Sequence, residues 1–199
     1  ALVGAVLAVA CYIPFGISDA VSPVFFAQEL DWSSESYAQI IGGPGMICGL
    51  IAAIVGGWLV DRFGARSMMA LGFVGGSVAF VLFGLFESVW QNTSIVIFYL
   101  CFQQFFVSLS TVGKFALFMR VSWARVAGTQ FTAYMALLNL SRSIGNLSAG
   151  PLDERLDYGG IFITCGVVLG LVTLLLPFID PEQTRRVLGG SEDTNASGA

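Results

Sequence analysis

The chain contains six stretches of about 20 or more mostly apolar residues, the length that an α-helix needs to cross the hydrocarbon core of a membrane. Of its 199 residues, 56% are hydrophobic and only 11% are charged, whereas an ordinary soluble domain is about a quarter charged. Long continuous runs in lipid must be helical, because only helices and closed barrels satisfy their own backbone groups there. The sequence therefore predicts an all-α membrane protein with spans at about 3–28, 36–60, 67–88, 94–119, 127–150 and 158–179.

The predicted spans form one transmembrane domain, residues 1–179, followed by a polar tail, residues 180–199. The tail is rich in Gly, Ser, Asp and Asn, which cannot bury enough apolar surface to order it, so we expect it to be disordered. The chain begins with Ala inside an apolar run and has neither a polar leader region nor a cleavage site. We therefore expect it to begin within a longer protein.

Composition argues against an enzyme and against bound metals. The chain has no histidine, its four cysteines lie singly in apolar runs, and it has no paired carboxylates inside the predicted spans. These absences disfavour Ser-His-Asp triads, imidazole metal sites and zinc motifs. The formal net charge of -4 does not identify a partner. We expect no enzymatic activity, no cofactor, no metal and no nucleic-acid partner.

Arginines are distributed unevenly between the two predicted sides of the membrane. One side carries six of them and the other side carries only Arg155, together with most of the loop carboxylates. The positive-inside rule assigns the arginine-rich side to the cytoplasm, which predicts a multi-pass protein of the cell inner membrane with both ends of this chain cytoplasmic. The six arginines are Arg62, Arg66, Arg120, Arg125, Arg185 and Arg186.

The turn between spans two and three has an unusual composition: G-W-L-V-D-R-F-G-A-R, residues 57–66. Gly57 can let a helix end pack closely, and Gly64 can supply a tight reversal. Asp61 can accept hydrogen bonds from free amides at a neighbouring helix N-terminus, while the arginines can bind last-turn carbonyls or lipid phosphates. An ordinary positive-inside loop is an alternative explanation of the arginines.

The same turn resembles the signature loop of the major facilitator superfamily, G-x-x-x-D-R-x-G-R-[RK], which joins the second and third helices of each six-helix half. Ala65 departs from the first basic position of the final pair. The resemblance implies one half of a 12-helix transporter, built of two inverted three-helix repeats. It also implies a latch between sliding helices, with the gate residues Gly57, Asp61, Arg62, Gly64 and Arg66.

Two further stretches are similar to the AmpG-like branch of the superfamily, which contains muropeptide permeases and acetyl-coenzyme A transporters. They are A-G-T-Q-F-T-A-Y-M-A-L-L-N-L-S-R-S-I-G-N-L-S-A-G-P, residues 127–151, and G-I-S-D-A, residues 16–20. The first is similar to the fifth helix of the C-terminal half. This resemblance implies a C-terminal half whose N-terminal six-helix partner is missing, with a muropeptide as the solute.

Polar side chains on three spans predict a cavity. An ionisable residue inside a membrane costs at least about 2.5–3.5 kcal/mol, so each one needs a partner, water or a function. Asp19 and Arg142 both lie about 23–24 Å from the predicted cytoplasmic side at 1.5 Å per residue, so they can meet. Gln103 enters from the other side and reaches a similar level. Asn139 lies on one helical stripe with Arg142.

These residues leave two explanations open. Asp19, Gln103, Asn139 and Arg142 can line a solute and proton cavity, or Asp19 and Arg142 can form a purely structural ion pair while the amides join helices. Lys114 lies near the predicted cytoplasmic end of its span, so we expect its ammonium to snorkel to the interface.

The sequence thus predicts a secondary active transporter that works by alternating access. Arg142, Gln103 and Asn139 are expected to meet an anionic or amide-rich organic solute, such as a muropeptide, and Asp19 is expected to carry the coupled proton. The lipid bilayer and the missing N-terminal half are the other expected partners. The alternative is a non-transporting homologue that serves as a structural or assembly subunit of a larger membrane complex.

Overall fold

The computed structural model describes residues 2–123 and 126–178. Within these ranges the regular secondary structure is helical, which confirms the all-α prediction. The predicted tail 180–199 lies outside the described residues, as do Arg125, Arg185 and Arg186. The helices are α1 (Leu2–Ala10), α2 (Ile13–Gln28), α3 (Ser34–Ile40), α4 (Met46–Phe63), α5 (Ala65–Leu85), α6 (Thr93–Val121), α7 (Ala127–Asp153) and α8 (Tyr158–Thr173).

Five helical segments in the described ranges are long and apolar enough to cross a membrane: Gly4–Gln28, Ser34–Phe63, Ala65–Leu85, Thr93–Val121 and Tyr158–Phe178. The sixth predicted span is α7, whose 27 residues extend about 40 Å at 1.5 Å per residue. Helix α7 is long enough to cross, but its polar residues make it less apolar than the other five. The structure thus has the six predicted helices, each within a few residues of its predicted bounds.

Two spans are interrupted. The first span is divided between α1 and α2 at Cys11 and Tyr12, immediately before Pro14 in the first turn of α2. The second span contains a π-helical turn, Ile41–Gly45, around Pro44. Proline has no N–H to donate and its ring disturbs the preceding turn, and a π-helical turn accommodates that local disruption.

Helix starts follow local capping chemistry. The side chain of Asn92 accepts hydrogen bonds from the backbone N–H groups of Ser94 and Ile95, at 3.1 and 3.4 Å, and begins α6. The Asp157 carboxylate accepts a 3.1 Å hydrogen bond from the Gly160 N–H and begins α8. Such caps satisfy amides that have no partner inside the helix.

The helix contacts follow the symmetry of two repeats. The first span packs along the fifth (α2 on α7), and the second packs along the fourth (α4 on α6). If the first, second and third spans trade places with the fourth, fifth and sixth, these two pairs are converted into each other. The same exchange interchanges the pairs α5–α6 and α2–α8 and leaves α5–α8 unchanged. This pattern is that of two related three-helix repeats, as in transporter halves with inverted repeats.

An aromatic cluster packs the end of the bundle where α2 ends and α6 begins. Phe25 contacts five other aromatic rings, and the rings of Phe83 and Tyr99 stack with centroids 3.8 Å apart. The indole N–H of Trp90 donates a 2.9 Å hydrogen bond to the Phe83 carbonyl. The cluster fixes this end of the bundle and leaves the polar side chains nearer the middle.

Candidate functional site

Asp19 of α2 and Arg142 of α7 form an ion pair in which Arg142 Nη2 lies 2.8 Å from Asp19 Oδ2. The sequence predicted that these residues lie at equal depth, and the structure places them in contact. Their side chains are 45% and 55% exposed, respectively, so the pair is not sealed inside the bundle. An exposed pair can exchange its partners for a solute more easily than a buried pair can, because less desolvated charge is left behind.

Two glycines bring the helices of this pair together. A Cβ atom at Gly16 would overlap the carbonyl oxygen of Arg142 and would lie 3.0 Å from the Cα of Gly145. A Cβ atom at Gly145 would likewise overlap the carbonyl oxygen of Ile13. The helices therefore cross in direct backbone contact, an approach that only small residues permit.

The ion pair opens onto a cavity of about 250 Å³ between α2, the start of the second span, α6 and α7. Its wall combines polar and aromatic side chains, which is typical of a small-molecule site. The polar residues of the lining include Ser18, Asp19, Ser22, Gln103, Gln104 and Arg142.

Three of the four predicted cavity residues come together here. Asp19, Gln103 and Arg142 line the cavity, whereas Asn139 is exposed and is not part of the lining. The amide nitrogen and oxygen of Gln103 are both buried without a hydrogen-bond partner. Buried amide atoms are normally paired, so the side chain of Gln103 has unused donor and acceptor capacity beside the cavity. The role of Asn139 stays a prediction.

Lys114 does not snorkel, contrary to the expectation from its position in the sequence. Its side chain is completely buried, and its Nζ has no hydrogen-bond partner. The Nζ lies 3.7 Å from the ring centroid of Tyr12 and 5.6 Å from those of Phe15 and Phe73. Cation–π attraction from these three rings replaces contact with the interface. We call this group of rings the aromatic cage.

Tyr12 connects the cage to the cavity, and it was not among the four predicted cavity residues. Its backbone N–H donates a 2.9 Å hydrogen bond to Ser141 Oγ of α7, and its hydroxyl lies 3.2 Å from the hydroxyl of Thr111 of α6. Its ring forms part of the cavity lining as well as part of the cage. Pro14 was the available signal, because proline commonly begins a helix and so marks an interruption of the first span.

The predicted gate loop differs from expectation in two respects. A Cβ atom at Gly57 would meet nothing within 4 Å, so Gly57 is not at a close helix contact, which instead occurs at Gly56 against Leu109. Asp61 is exposed and its carboxylate makes no hydrogen bond within the described residues, so it does not cap a neighbouring helix. In this conformation the loop therefore holds its shape without those two contacts.

The other gate residues have defined positions. Gly64 adopts φ 87° and ψ 148°, a backbone conformation essentially restricted to glycine, and makes the reversal between α4 and α5 as predicted. The Arg62 guanidinium lies 6.0 Å from the ring centroid of Trp58 and 5.9 Å from that of Phe63. Arg66 is half-buried at the start of α5. The loop thus presents Asp61 and Arg62 at one end of the bundle.

The described part of the chain contains no group of three or more His, Cys, Asp or Glu residues that could hold a metal ion. Cys11 and Cys165 are buried free thiols. The chemistry of the cavity is therefore that of an ion pair, amides and aromatic rings.

A six-helix membrane bundle with related halves and a polar cavity at helix crossings is the architecture typical of membrane transport proteins. The chain belongs to the Major Facilitator Superfamily, whose family model matches residues 4–197. A curated relative, a "Na(+), Li(+), K(+)/H(+) antiporter" of Planococcus maritimus, is 27% identical over 185 residues, which cover 88% of this chain. This chain spans 41% of the length of that relative. No solved structure matches the chain.

Proposed function

We propose that this domain is part of a secondary transporter that couples the movement of a small organic solute to protons by alternating access. The observation that supports this most directly is the half-exposed ion pair of Asp19 and Arg142 in the wall of a polar cavity. Arg142 neutralises Asp19 while the cavity is empty. A solute that draws Arg142 away leaves the Asp19 carboxylate without its counter-charge, and taking up a proton restores neutrality.

The organic solute we propose carries groups that Arg142 and the unpaired amide of Gln103 can bind. A guanidinium binds carboxylates through paired N–H donors, and an amide side chain offers one acceptor and two donors. A muropeptide combines carboxylates and peptide amides. This suggestion rests on the resemblance of residues 127–151 to the AmpG-like branch.

A second candidate is exchange of a monovalent cation for a proton. The name of the Planococcus maritimus relative favours it. In that mechanism Asp19 binds either a cation or a proton, and Arg142 pairs with the Asp19 carboxylate when it holds neither. The two candidates differ in the charge of the solute that competes with the ion pair.

The domain is proposed to work against a second six-helix half. Helix α4 carries exposed apolar side chains along its length, including Met46, Leu50, Ile54 and Trp58, at 60–68% exposure. Such a face suits lipid or another helix bundle, and a rocking transporter needs a surface of this kind around its cavity. We place the protein in the cell inner membrane, with the gate loop on the cytoplasmic side.

Uptake into proteoliposomes tests the proposal, using the full-length protein that contains this domain and an imposed pH gradient. We expect concentrative uptake of an organic solute that Asp19→Asn abolishes. Glu154→Gln, which changes an exposed carboxylate at the end of α7, is the matched control and should leave uptake unchanged. Sodium or potassium efflux driven by the same gradient and lost in Asp19→Asn would favour the cation exchanger.

Absence of any pH-driven flux in liposomes would contradict both candidates. It would support the alternative of a non-transporting homologue that serves a larger membrane complex.

A further inference from the structure

Lys114 is the only lysine of the chain, and the structure isolates its charge. The side chain is completely buried and its Nζ makes neither a hydrogen bond nor an ion pair. Buried charges in proteins are normally paired with an opposite charge, because desolvation costs several kcal/mol per ion. Cation–π contacts with three rings offset only part of that cost. An unpaired ammonium in this position therefore calls for a functional explanation.

The aromatic cage shares two walls with the cavity. Tyr12 and Phe15 contact the ammonium and also line the space around Asp19 and Arg142. Along α6, Val107 lies in the cavity lining, and Lys114 follows it two helical turns later, about 10 Å further along the axis. Lys114 thus lies just beyond the cavity, toward the gate-loop end of the bundle.

The charges of this region do not balance. Asp19 is paired with Arg142, and no carboxylate in the described part of the chain lies within ion-pair distance of Lys114. Groups that face the ammonium from the other helices are the Tyr12 ring, the Phe15 and Phe73 rings, and the buried thiol of Cys11. One ammonium without a counter-charge in the described part of the chain therefore lies close to the cavity, where it favours an anion and disfavours a cation.

We propose that Lys114 is a binding site for the anionic group of the transported solute, and that this solute is a small carboxylate or carries one. The inference rests on the proposed function, because it names the substrate class of the same cavity. As the ring of Tyr12 moves aside, the ammonium leaves the ring face and pairs with the carboxylate. The backbone of Tyr12 stays bonded to Ser141 and Gly16, so its ring moves by rotation about its own side-chain bonds.

The site distinguishes the two candidate solutes. A carboxylate gains a charge-assisted hydrogen bond from an ammonium that has no other acceptor. An alkali cation passing the same point meets like-charge repulsion at short range. Lys114 therefore favours the organic solute over cation exchange.

The test uses the full-length protein in lipid nanodiscs, labelled with ¹³C at the lysine ε-carbons. The resonance of Lys114 is assigned by its absence from Lys114→Arg and Lys114→Gln. Acetate is the probe, and acetamide is its neutral control of the same shape. We expect acetate to shift the Lys114 resonance saturably, and acetamide to leave it unchanged at the same concentration.

Binding of ¹⁴C-acetate to the same nanodiscs supplies the variant series. Lys114→Gln should weaken acetate binding about tenfold or more, as expected for the loss of a charged hydrogen bond. Lys114→Arg should retain most of the binding. Arg120→Gln is the matched control, because Arg120 is an exposed cation on the same helix, and this change should leave acetate binding unchanged.

An unshifted Lys114 resonance, an equal shift with acetamide, or undiminished acetate binding by Lys114→Gln would overturn the proposal. If Lys114→Gln does not fold, the comparison of acetate with acetamide on the unaltered protein decides. Acetate binding without pH-driven flux would leave this inference standing and contradict the proposed function. Asp19-dependent flux with no response of Lys114 to acetate would support the proposed function and overturn this inference.

Discussion

Gly16 and Gly145 meet at the crossing of α2 and α7. Gly16 lies three residues before Asp19, and Gly145 lies three residues after Arg142, its ion-pair partner. Because residues three apart share a helix face, the glycine contact and the ion pair belong to one surface. The backbone approach at the glycines therefore sets the distance between the two charges.

Gly145→Ala is expected to separate α2 from α7. The new Cβ would overlap the Ile13 carbonyl, and crowding of this kind costs about 1–3 kcal/mol. We expect lower thermal stability in detergent together with a loss of transport. Gly128→Ala on the same helix is the control, because a Cβ there meets nothing within 4 Å. Equal stability of the two variants would show that the crossing does not depend on the glycine contact.

The ion pair itself is expected to contribute little to stability. Both side chains are about half exposed, and exposed pairs typically contribute about 0.2–1 kcal/mol, compared with about 3–5 kcal/mol lost on breaking a buried pair. A double-mutant cycle of Asp19→Asn and Arg142→Gln on thermal unfolding measures this coupling energy. The double variant should be nearly as stable as the unaltered protein and should still lose pH-driven uptake. A coupling energy of several kcal/mol would show that the pair is buried in the intact transporter.

Asp61→Asn tests the gate assignment. Asp61 is exposed at the end of the bundle and does not line the cavity, so its loss should slow turnover while leaving solute affinity nearly unchanged. Maximal uptake rate and equilibrium binding, measured on the same preparation, separate the two effects. A large loss of affinity with a normal maximal rate would place Asp61 in the binding site instead.

The turn between α4 and α5 should depend on Gly64 and not on Gly57. Gly64→Ala puts a Cβ on a backbone conformation that costs about 1–3 kcal/mol for residues other than glycine. Gly57→Ala lies in a helix with open space around its Cβ and should be neutral, or stabilising by about 0.5–1 kcal/mol. Thermal unfolding of both variants checks the contrast, and the reverse order of stability would refute it.

Cysteine labelling tests the sidedness. Ser67 at the start of α5 and Gln91 before α6 are exposed at opposite ends of α5. The arginine distribution predicts that a cysteine replacing Ser67 reacts with an impermeant thiol reagent only from the cytoplasm. A cysteine replacing Gln91 should react only from outside. Gln91 is preferred to Asn92, whose side chain caps α6. Labelling of both from one side would contradict the topology.

Counting along helices was enough to predict the ion pair. The depth of Arg142 followed from the rise of a regular helix, and so did that of Asp19, because the break at Cys11 and Tyr12 covers only two residues. The prediction for Lys114 was wrong because its surroundings come from elsewhere in the chain: Tyr12 and Phe15 from the first span, and Phe73 from the third. Periodicity places a residue on a face of its own helix, but it does not say which side chains of other helices cover that face.

Gly57 is a second case in which the sequence did not show which residue faces a neighbouring helix. Its lack of a side chain at a helix end predicted a close helix contact, whereas the neighbouring Gly56 makes it. Consecutive residues of a helix point about 100° apart around its axis, and a sequence motif does not say which of them faces a partner helix.

The polarity of α7 has a consequence for how the protein is made. The five apolar spans can each enter lipid as they leave the ribosome, but α7 carries Arg142 at a depth where an unpartnered arginine costs about 2.5–3.5 kcal/mol. Its counter-charge is on α2, which is synthesised earlier, with α3, α4, α5 and α6 between them in the chain. We therefore expect α2 to stay near the insertion machinery until α7 emerges, so that the pairing of Asp19 with Arg142 guides assembly of the bundle.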